Sequence, residues 1–348
     1  ENSFESSSMT ITVPDKALTT YQNHPIFSRQ NLFGIYFSSD YSRHEEVVVL
    51  QQATEGAGLD LVFMGDGYTD KDVAGGDYDR LMRKAADMFF AAEPYASFRH
   101  LFNVYYVNVI SLNEGITDFG ITAFGCCLTD LDRGGIWDGS TSLGDKYARK
   151  AIGLESGSKK EYHACILLNA SEGRSCCFWT LRNGDYGSGE SCSFCVANTI
   201  DNYFEHIVQH EVGGHGFAKL ADEYVEFNER YYGGTSSRKN IDICSEPDKV
   251  KWSHFLQDSR YDVEGLGVFE GAACYSYGAY RPSKNSIMRG QRKYFNAPSR
   301  EAIYYSIHKK AFGESWRYNY EDFVAFDAKV LAAKPWVQSR VMGHTMVL

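Results

Sequence analysis

The hydrophobic pattern changes near residue 59, and the change predicts an α/β fold. Residues 59–67 form a continuous apolar run that ends in Gly-Asp-Gly, which is typical of a buried strand followed by a tight turn. Residues 77–94 repeat apolar side chains at helical spacing and end at a proline, which predicts an amphipathic helix. Apolar runs that begin at Phe102 and His163 also predict strands. Strands that alternate with helices predict a largely parallel sheet covered on both faces.

The pattern also divides the chain. Residues 1–50 contain short β-like fragments without recognisable chemistry, so we expect an N-terminal β-rich segment packed against one domain spanning residues 51–348. Residues 115–144 and 171–195 are rich in glycine and small polar residues, and we expect long irregular loops there. Long loops in a compact domain often line binding sites.

Composition narrows the class of protein. A chain of 348 residues with 43% hydrophobic and 15% aromatic residues is sufficient for a packed globular core. No apolar run approaches the roughly 18–20 residues that a membrane span needs, so we expect no transmembrane segment. The net charge is -10 and no basic run is suited to phosphates, which argues against nucleic acid as a partner. The oligomeric state stays open.

The cysteine content predicts a location outside the cytosol. Nine cysteines, several of them clustered, are more typical of a compartment where disulfides persist. The polar opening ENSFESSSMT is consistent with a stub left after removal of a leader. We therefore expect an extracellular, periplasmic or surface-anchored protein. Cys192 and Cys195 have C-x-x-C spacing, but no second such pair is present, so disulfides or inert thiols are favoured over a structural zinc site.

Residues 202–224 carry the candidate chemistry. Their sequence, NYFEHIVQHEVGGHGFAKLADEY, has helical periodicity and predicts one long helix. Two histidines at i and i+4 of a helix can share a zinc ion, but His210 and His215 are five residues apart. At about 100° per residue, a regular helix would separate them by about 140°. A π-bulge at Gly213 and Gly214 would absorb the extra residue and restore a common face.

Acidic residues near these histidines complete a candidate site. Glu211 adjoins His210, where a general base would polarise water. Asp222 follows His215 by seven residues, nearly two helical turns, so it is a candidate third ligand on the same face. Glu223 is the rival for that position.

Two other metal sites are weaker hypotheses. His206 and His210 have i, i+4 spacing, but an isoleucine stands where the base would be, so this pair could hold a metal without an adjacent base. The aspartates of GDGYTDKD, which are Asp66, Asp70 and Asp72, do not follow the order of a calcium loop. A capped, solvated turn is the favoured interpretation.

The segment HEVGGHGFAKLADEY resembles the active-site stretch of the IgA-peptidase family of zinc metallopeptidases, where H-E-x-G-H is followed by L-A-D-E-Y. The likeness extends through VFMGDGYTDKD, FNVYYVNVIS, TDFGITAFGC, NSIMRGQRKYF and REAIYY, or roughly residues 59–310. That family looks related to the metzincins, whose metal helix is underlain by a methionine-containing turn, and SIMRG places Met288 at such a turn. The resemblance implies a zincin- or metzincin-like mixed, largely parallel sheet with flanking helices, a long active-site helix and an irregular C-terminal part.

The resemblance also implies an activity. His210 and His215 would be zinc ligands and Glu211 the general base, while Asp222 as third ligand follows from helical facing and the metzincin likeness. The extra glycine departs from the family motif, although dipeptidyl-peptidase III, a zinc peptidase, carries H-E-x-x-G-H. Tyr294 is a further candidate, as an oxyanion donor.

Two functions remain as hypotheses. The first is a zinc-dependent endopeptidase that acts on extracellular proteins or peptides, with immunoglobulin A-like substrates as one implied class. The second is an inactive peptidase-fold protein that binds host protein or glycan at the cell surface, because the extra glycine has disabled the site. Chelator-sensitive cleavage would distinguish them. The disulfide pairing and the natural substrate are not determined by the sequence.

Overall fold

The computed structural model describes residues 36–116, 121–153, 160–182 and 188–333. Its strands are β1 (Val47–Gln51), β2 (Leu59–Asp66), β3 (Phe102–Val107), β4 (Cys127–Thr129), β5 (Ile136–Asp138), β6 (His163–Leu168), β7 (Cys176–Trp179), β8 (Ser191–Val196), β9 (Val225–Arg230), β10 (Phe269–Ala272) and β11 (Cys274–Arg281). Its helices are α1 (Asp70–Gly75), α2 (Asp77–Phe89), α3 (Thr141–Ala151), α4 (Asp201–Ile207), a π-helix (Val208–Phe217), α5 (Ser253–Leu256), α6 (Ala297–Phe312) and α7 (Tyr320–Ala333). Short 3₁₀ turns lie at Arg99–Leu101, Leu131–Arg133, Ser259–Glu264 and Gly313–Ser315.

The central element is a six-stranded mixed sheet in the order β1-β3-β2-β6-β8-β7. The four inner strands run parallel, and the edge strands β1 and β7 are antiparallel to their neighbours. All residues of the four inner strands are buried, which explains their continuous apolar sequences, because a parallel sheet is covered on both faces. The predicted α/β architecture with a largely parallel sheet and flanking helices is confirmed.

The N-terminal boundary falls within this sheet. β1 crosses the proposed division at residue 50, and its Val47 pairs with Val107 of β3. Residues 1–35 lie outside the described ranges, so the β-rich character expected of the first segment stays a prediction.

The expected loops are more regular than predicted. The range 171–195 contains β7 and most of β8. β8 has the sequence Ser-Cys-Ser-Phe-Cys-Val, so its small residues resemble a loop although it lies inside the sheet. In the same way, the range 115–144 contains the antiparallel pair β4-β5 and the start of α3. In both ranges, pairing with neighbouring strands overrides weak strand propensity.

The C-terminal part, expected to be irregular, is also structured. It contains α6, α7 and a three-stranded sheet in the order β10-β11-β9. Arg300 of α6 is almost fully buried and donates to Asp327 of α7 through Nε at 2.6 Å and to Glu264 through Nη2 at 2.5 Å. This buried ion-pair network ties the last two helices to the body of the chain.

Four of the cysteines are buried in the structure. All nine cysteines lie in the described ranges, and each is a free thiol. Burial raises the pKa of Cys126, Cys192 and Cys195, which is typical of inert structural thiols. Buried, inert thiols, one of the two favoured interpretations, therefore fit these three cysteines. In the described ranges, no helix has the length and apolar character needed to cross a membrane.

Candidate metal centre

The π-helix solves the spacing problem of the two histidines. It spans ten residues, Val208–Phe217, and continues α4 without a break. In a π-helix the backbone bonds join residues five apart, so His210 and His215 lie one turn apart on the same side. Their ring centroids are 4.7 Å apart. The π-helix is longer than the single π-bulge expected at Gly213 and Gly214. It nevertheless brings the two histidines to the same side of the helix, as expected.

The two glycines let neighbouring side chains approach the π-helix. A Cβ at Gly214 would lie 2.2 Å from Sδ of Met288, and a Cβ at Gly213 would lie 3.0 Å from the ring of Tyr95. The Tyr95 hydroxyl also donates to the Gly213 carbonyl at 2.7 Å. Met288 is fully buried, so the residue of the expected methionine turn packs directly beneath the segment between the two histidines.

The helix ends before the third candidate ligand. Lys219 has φ of 53°, a left-handed conformation, and the chain turns away from the helix axis there. The Leu220 amide donates back to the Gly214 carbonyl at 2.9 Å, which closes the turn. The prediction of one helix through residue 224 is therefore wrong, and helical facing is not the reason why Asp222 reaches the histidines. A tight reversal of the chain brings it there.

Three side chains converge despite this difference. Oδ1 of Asp222 lies 3.1 Å from Nε2 of His210 and 3.2 Å from Nε2 of His215. One potential ligand atom from each residue falls within 4.8 Å of the others. Their side chains are only 10–20% exposed. The structure thus brings together the three residues that the sequence proposed as ligands.

Backbone carbonyls orient both imidazoles. Nδ1 of His210 contacts the Ile287 carbonyl at 3.1 Å, and Nδ1 of His215 contacts the Leu220 carbonyl at 2.7 Å. A carbonyl can only accept, so each Nδ1 carries a proton and each Nε2 faces the Asp222 carboxylate. The two Nε2 atoms and this carboxylate can share a cation, either a proton or a metal ion. This donor set fits a metal ion, and such outer contacts are typical of metal-binding histidines.

Burial and neighbouring charges shift the pKa values of His210, Asp222 and Glu211. Burial alone would lower the pKa of His210, but its hydrogen bond with Asp222 and the nearby carboxylates raise that pKa to about 9. Burial would raise the pKa of Asp222, but the two histidines hold it well below its usual range. Burial raises the pKa of Glu211 despite the opposing effect of both histidines. Glu211, with its raised pKa, therefore lies beside an imidazole–carboxylate pair.

Glu211 lies where the centre opens to a cleft. The cleft has a volume of about 380 Å³, and its walls include Glu211 together with the three candidate ligands. The backbone of Glu211 is fixed by Ser193 of β8, whose hydroxyl donates to the Glu211 carbonyl at 3.2 Å. A buried carboxylate at the wall of a cleft, beside a metal centre, can exchange protons with a molecule in that cleft.

Glu223, the alternative to Asp222 as third ligand, forms hydrogen bonds with other side chains. Its carboxylate accepts hydrogen bonds from Ser286 at 2.6 Å and from Asn240 and Asn296 at 2.9 Å. Its amide donates to the Met288 carbonyl at 2.8 Å. Glu223 therefore anchors the Met288 turn and does not face the two histidines.

The structure separates the other candidates from the centre. Tyr294 borders a different pocket, with Glu93 and Arg300, and is not among the residues that line the cleft. His206 lies 5.5 Å from His210 between ring centroids but does not belong to the group of converging ligand atoms found in the described residues. Burial lowers its pKa to about 3.

The three aspartates of GDGYTDKD form capping and anchoring contacts. Asp72 accepts from the amide of Thr69 at 2.6 Å and caps α1. Asp66 accepts from Thr122 Oγ1 at 2.6 Å, and Asp70 accepts from the amide of Asp40 at 2.8 Å. The carboxylates point to separate donors, as in a capped turn and not a calcium loop. Asp66 and Asp70 are buried, however, so the expectation of a solvated turn is wrong.

Two cleft residues were missed by the sequence analysis. Sγ of Cys274 contacts Oδ2 of Asp222 at 3.5 Å, and the Tyr224 ring lies 6.4 Å from that of His210. Tyr224 is the last residue of the L-A-D-E-Y ending, which was a usable signal. Cys274 lies 52 residues beyond Asp222, and nothing in the local sequence marks it.

Comparison with known proteins gives a match in a stretch that precedes the π-helix. Residues 47–126 match the family model described as IgA Peptidase M64. The matched stretch comprises β1, β2, α1, α2 and β3 and ends at Cys126, so it does not reach the π-helix. No curated protein matches the chain. The family match supports peptidase activity, and over residues 47–126 it confirms the resemblance to the IgA-peptidase family.

Proposed function

We propose that the chain is a zinc-dependent endopeptidase that hydrolyses peptide bonds of extracellular proteins. The observation that carries the proposal is the convergence of His210, His215 and Asp222 within 4.8 Å in the wall of an open cleft, with Glu211 beside them. The family match of residues 47–126 supports the peptidase part independently, because it covers a different stretch of the chain.

The three converging residues would hold the zinc ion. Two imidazole nitrogens and a carboxylate oxygen are ligands that zinc accepts, and three protein ligands are usual at catalytic zinc sites. When bound, zinc acts as a Lewis acid that activates water and polarises the scissile carbonyl.

Glu211 would move the proton in the reaction. Its carboxylate accepts a proton from the attacking water and then donates it to the leaving amine, as a general base and acid. Burial raises the pKa of Glu211, which makes the carboxylate a better proton acceptor than an exposed glutamate.

The cleft has room for an extended peptide. Residues of β7, β9 and β11 contribute to its walls. β7 is an edge strand of the six-stranded sheet. Edge strands can pair with an extended peptide through their backbone groups, which suits an enzyme that cuts within a chain. The family name makes immunoglobulin A the first protein to test.

Metal analysis and a cleavage assay with matched variants test the proposal. The purified wild-type protein is expected to contain about one zinc per chain by inductively coupled plasma mass spectrometry and to cleave a denatured protein until a chelator is added. Glu211→Gln is expected to keep its zinc and lose about 10²- to 10⁴-fold in turnover. Asp222→Asn is expected to lose both. Glu229→Gln is the control, because Glu229 is an exposed residue of β9 that does not line the cleft.

Two results would overturn the proposal. Equal turnover in Glu211→Gln and wild type would show that Glu211 is not the general base. A wild-type protein that binds zinc but cleaves no denatured protein would favour the inactive binding protein. The location outside the cytosol stays a prediction from the cysteine content, and fractionation of the producing cells tests it.

A further inference from the structure

The walls of the cleft are more basic than the chain as a whole. The chain has a net charge of -10, yet its cleft is lined by Arg133, Arg174 and Arg238. Apart from the metal centre and its general base, Glu226 is the acidic residue among the described residues that line it. Each of these guanidinium groups can attract a carboxylate of a ligand in the cleft.

Aromatic rings hold two of these arginines in place. The guanidinium of Arg238 lies 4.4 Å from the ring centroid of Trp179, and that of Arg133 lies 5.0 Å from the ring centroid of Phe227. Stacking uses the flat face of a guanidinium, whereas its N–H donors lie in the plane of the group. The two rings therefore contribute cation–π attraction that favours these positions of Arg133 and Arg238.

The third arginine is fixed through its backbone. The Arg174 amide donates to the Gly135 carbonyl, and the Arg174 carbonyl accepts from the Trp137 amide, both at 2.8 Å. These bonds place Arg174 beside the segment that follows Arg133. The three arginines thus come from separate parts of the chain and meet around one cleft.

Two of these arginines have ion-pair partners that a substrate would have to displace. Arg174 pairs with Glu226, and Nε of Arg133 lies 3.4 Å from a carboxylate oxygen of Asp130. Both arginine side chains are 46% exposed. The Arg133–Asp130 pair is exposed on both sides, so a substrate carboxylate can replace it at small cost, whereas Glu226 is only 16% exposed and competes more strongly for Arg174.

We infer that the cleft selects peptide segments with aspartate or glutamate close to the scissile bond, and that Arg133, Arg174 and Arg238 determine this preference. The inference rests on the peptidase function proposed above. An arginine can bind a carboxylate through two parallel hydrogen bonds, which gives orientation as well as attraction. Glu226 competes with the substrate for Arg174, so it limits the preference.

A pair of quenched fluorescent peptides tests the inference. Both have one sequence, taken from a site cleaved in the denatured protein or, if no site is cleaved, from an extended segment of that protein. One peptide has aspartate or glutamate on both sides of the central bond, and the other has asparagine or glutamine there. We expect kcat/KM to be about tenfold higher for the acidic peptide, and this ratio to fall about 1.5- to 5-fold for each arginine changed to glutamine, as for single exposed ion pairs. The ratio should also fall as salt is added.

Two further variants sharpen the test. Glu226→Gln is expected to raise the acidic-to-neutral ratio, because it releases Arg174. Arg80→Gln is the matched control, since it removes an equal charge from α2, where Arg80 is exposed and lies outside the cleft. The control is expected to keep the wild-type ratio.

The outcomes separate the two proposals. Equal cleavage of both peptides, or a preference for the neutral one, would leave the peptidase function standing and overturn the arginine-based preference. If neither peptide is cleaved, the peptidase function fails, and the binding of the same labelled peptides, measured by fluorescence anisotropy, still decides the preference. A ratio in the triple arginine variant equal to that of wild type would also overturn the inference.

Discussion

The substitution Gly214→Ala tests the packing beneath the candidate metal centre. The added Cβ would lie 2.2 Å from Sδ and 2.8 Å from Cε of Met288, well inside contact distance. Met288 is fully buried, so its side chain cannot move into solvent. Either Met288 adopts another rotamer against its packed neighbours, or its turn shifts away from the π-helix.

The expected cost follows from two opposing effects. Overpacking of a buried site costs about 1–3 kcal/mol. Alanine is favoured over glycine in a helix by up to about 1 kcal/mol. We therefore expect the free energy of unfolding to fall by about 1–2 kcal/mol. The metal affinity should fall as well, because the Ile287 carbonyl, next to Met288, orients Nδ1 of His210.

Chemical denaturation of four variants measures this effect. Gly213→Ala is the matched control, because its Cβ would lie 3.0 Å from the ring of Tyr95 and needs a smaller adjustment. Met288→Ala alone is expected to cost about 2–5 kcal/mol. The double variant Gly214→Ala/Met288→Ala should cost less than the sum of the single changes, since the new methyl group occupies space that the methionine has left.

Two results would refute this reasoning. The first is a Gly214→Ala protein as stable as wild type with unchanged zinc affinity in a chelator competition. The second is strict additivity in the double variant, which would mean that Gly214 and Met288 do not press on each other.

Two further predictions concern stability. Burial and the charge of Lys310 lower the pKa of His163 well below 6.5. Below about pH 6.5 the unfolded chain therefore binds a proton that the folded chain does not. As the pH falls further, this group lowers the free energy of unfolding by up to about 1.4 kcal/mol per pH unit. His163→Gln should remove that component, and equal slopes for both proteins in denaturation series between about pH 7 and pH 5 would contradict it. Asp327→Asn takes a carboxylate from buried Arg300 and is expected to cost about 3–5 kcal/mol, near the lower end because a second carboxylate remains. Asp87→Asn is the control, because it breaks an exposed ion pair, and it should change the free energy of unfolding by less than about 1 kcal/mol. Chemical denaturation measures both variants, and an equal loss in the two would argue against the buried network.

Local sequence was sufficient where burial gives a regular pattern. β2, β3 and β6 were predictable because strands inside a parallel sheet are apolar along their whole length. α2 was predictable because it buries one face only, and it ends at Phe89 before Pro94. The candidate metal ligands and base were identified from residue type and spacing, because few side chains can bind zinc.

Local sequence did not predict elements whose burial depends on contacts with distant parts of the chain. β8 consists mainly of serine and cysteine, and its place in the sheet comes from pairing with β6 and β7. α6 buries residues on several faces, so it has no amphipathic period that a sequence pattern could reveal. The Arg300 network joins residues 27 and 36 positions apart, which no short motif encodes.

The sequence by itself indicated which side chains could form a metal centre, because His210, His215 and the acidic residues Glu211, Asp222 and Glu223 are of types that bind zinc or move a proton. Only the tertiary structure decided how they meet. Asp222 reaches the histidines through the reversal at Lys219 and not along a helix, because the helix ends at Phe217. The choice between neighbouring carboxylates, and the arginines around the cleft, depend on contacts between distant segments, and such contacts leave no period in the sequence.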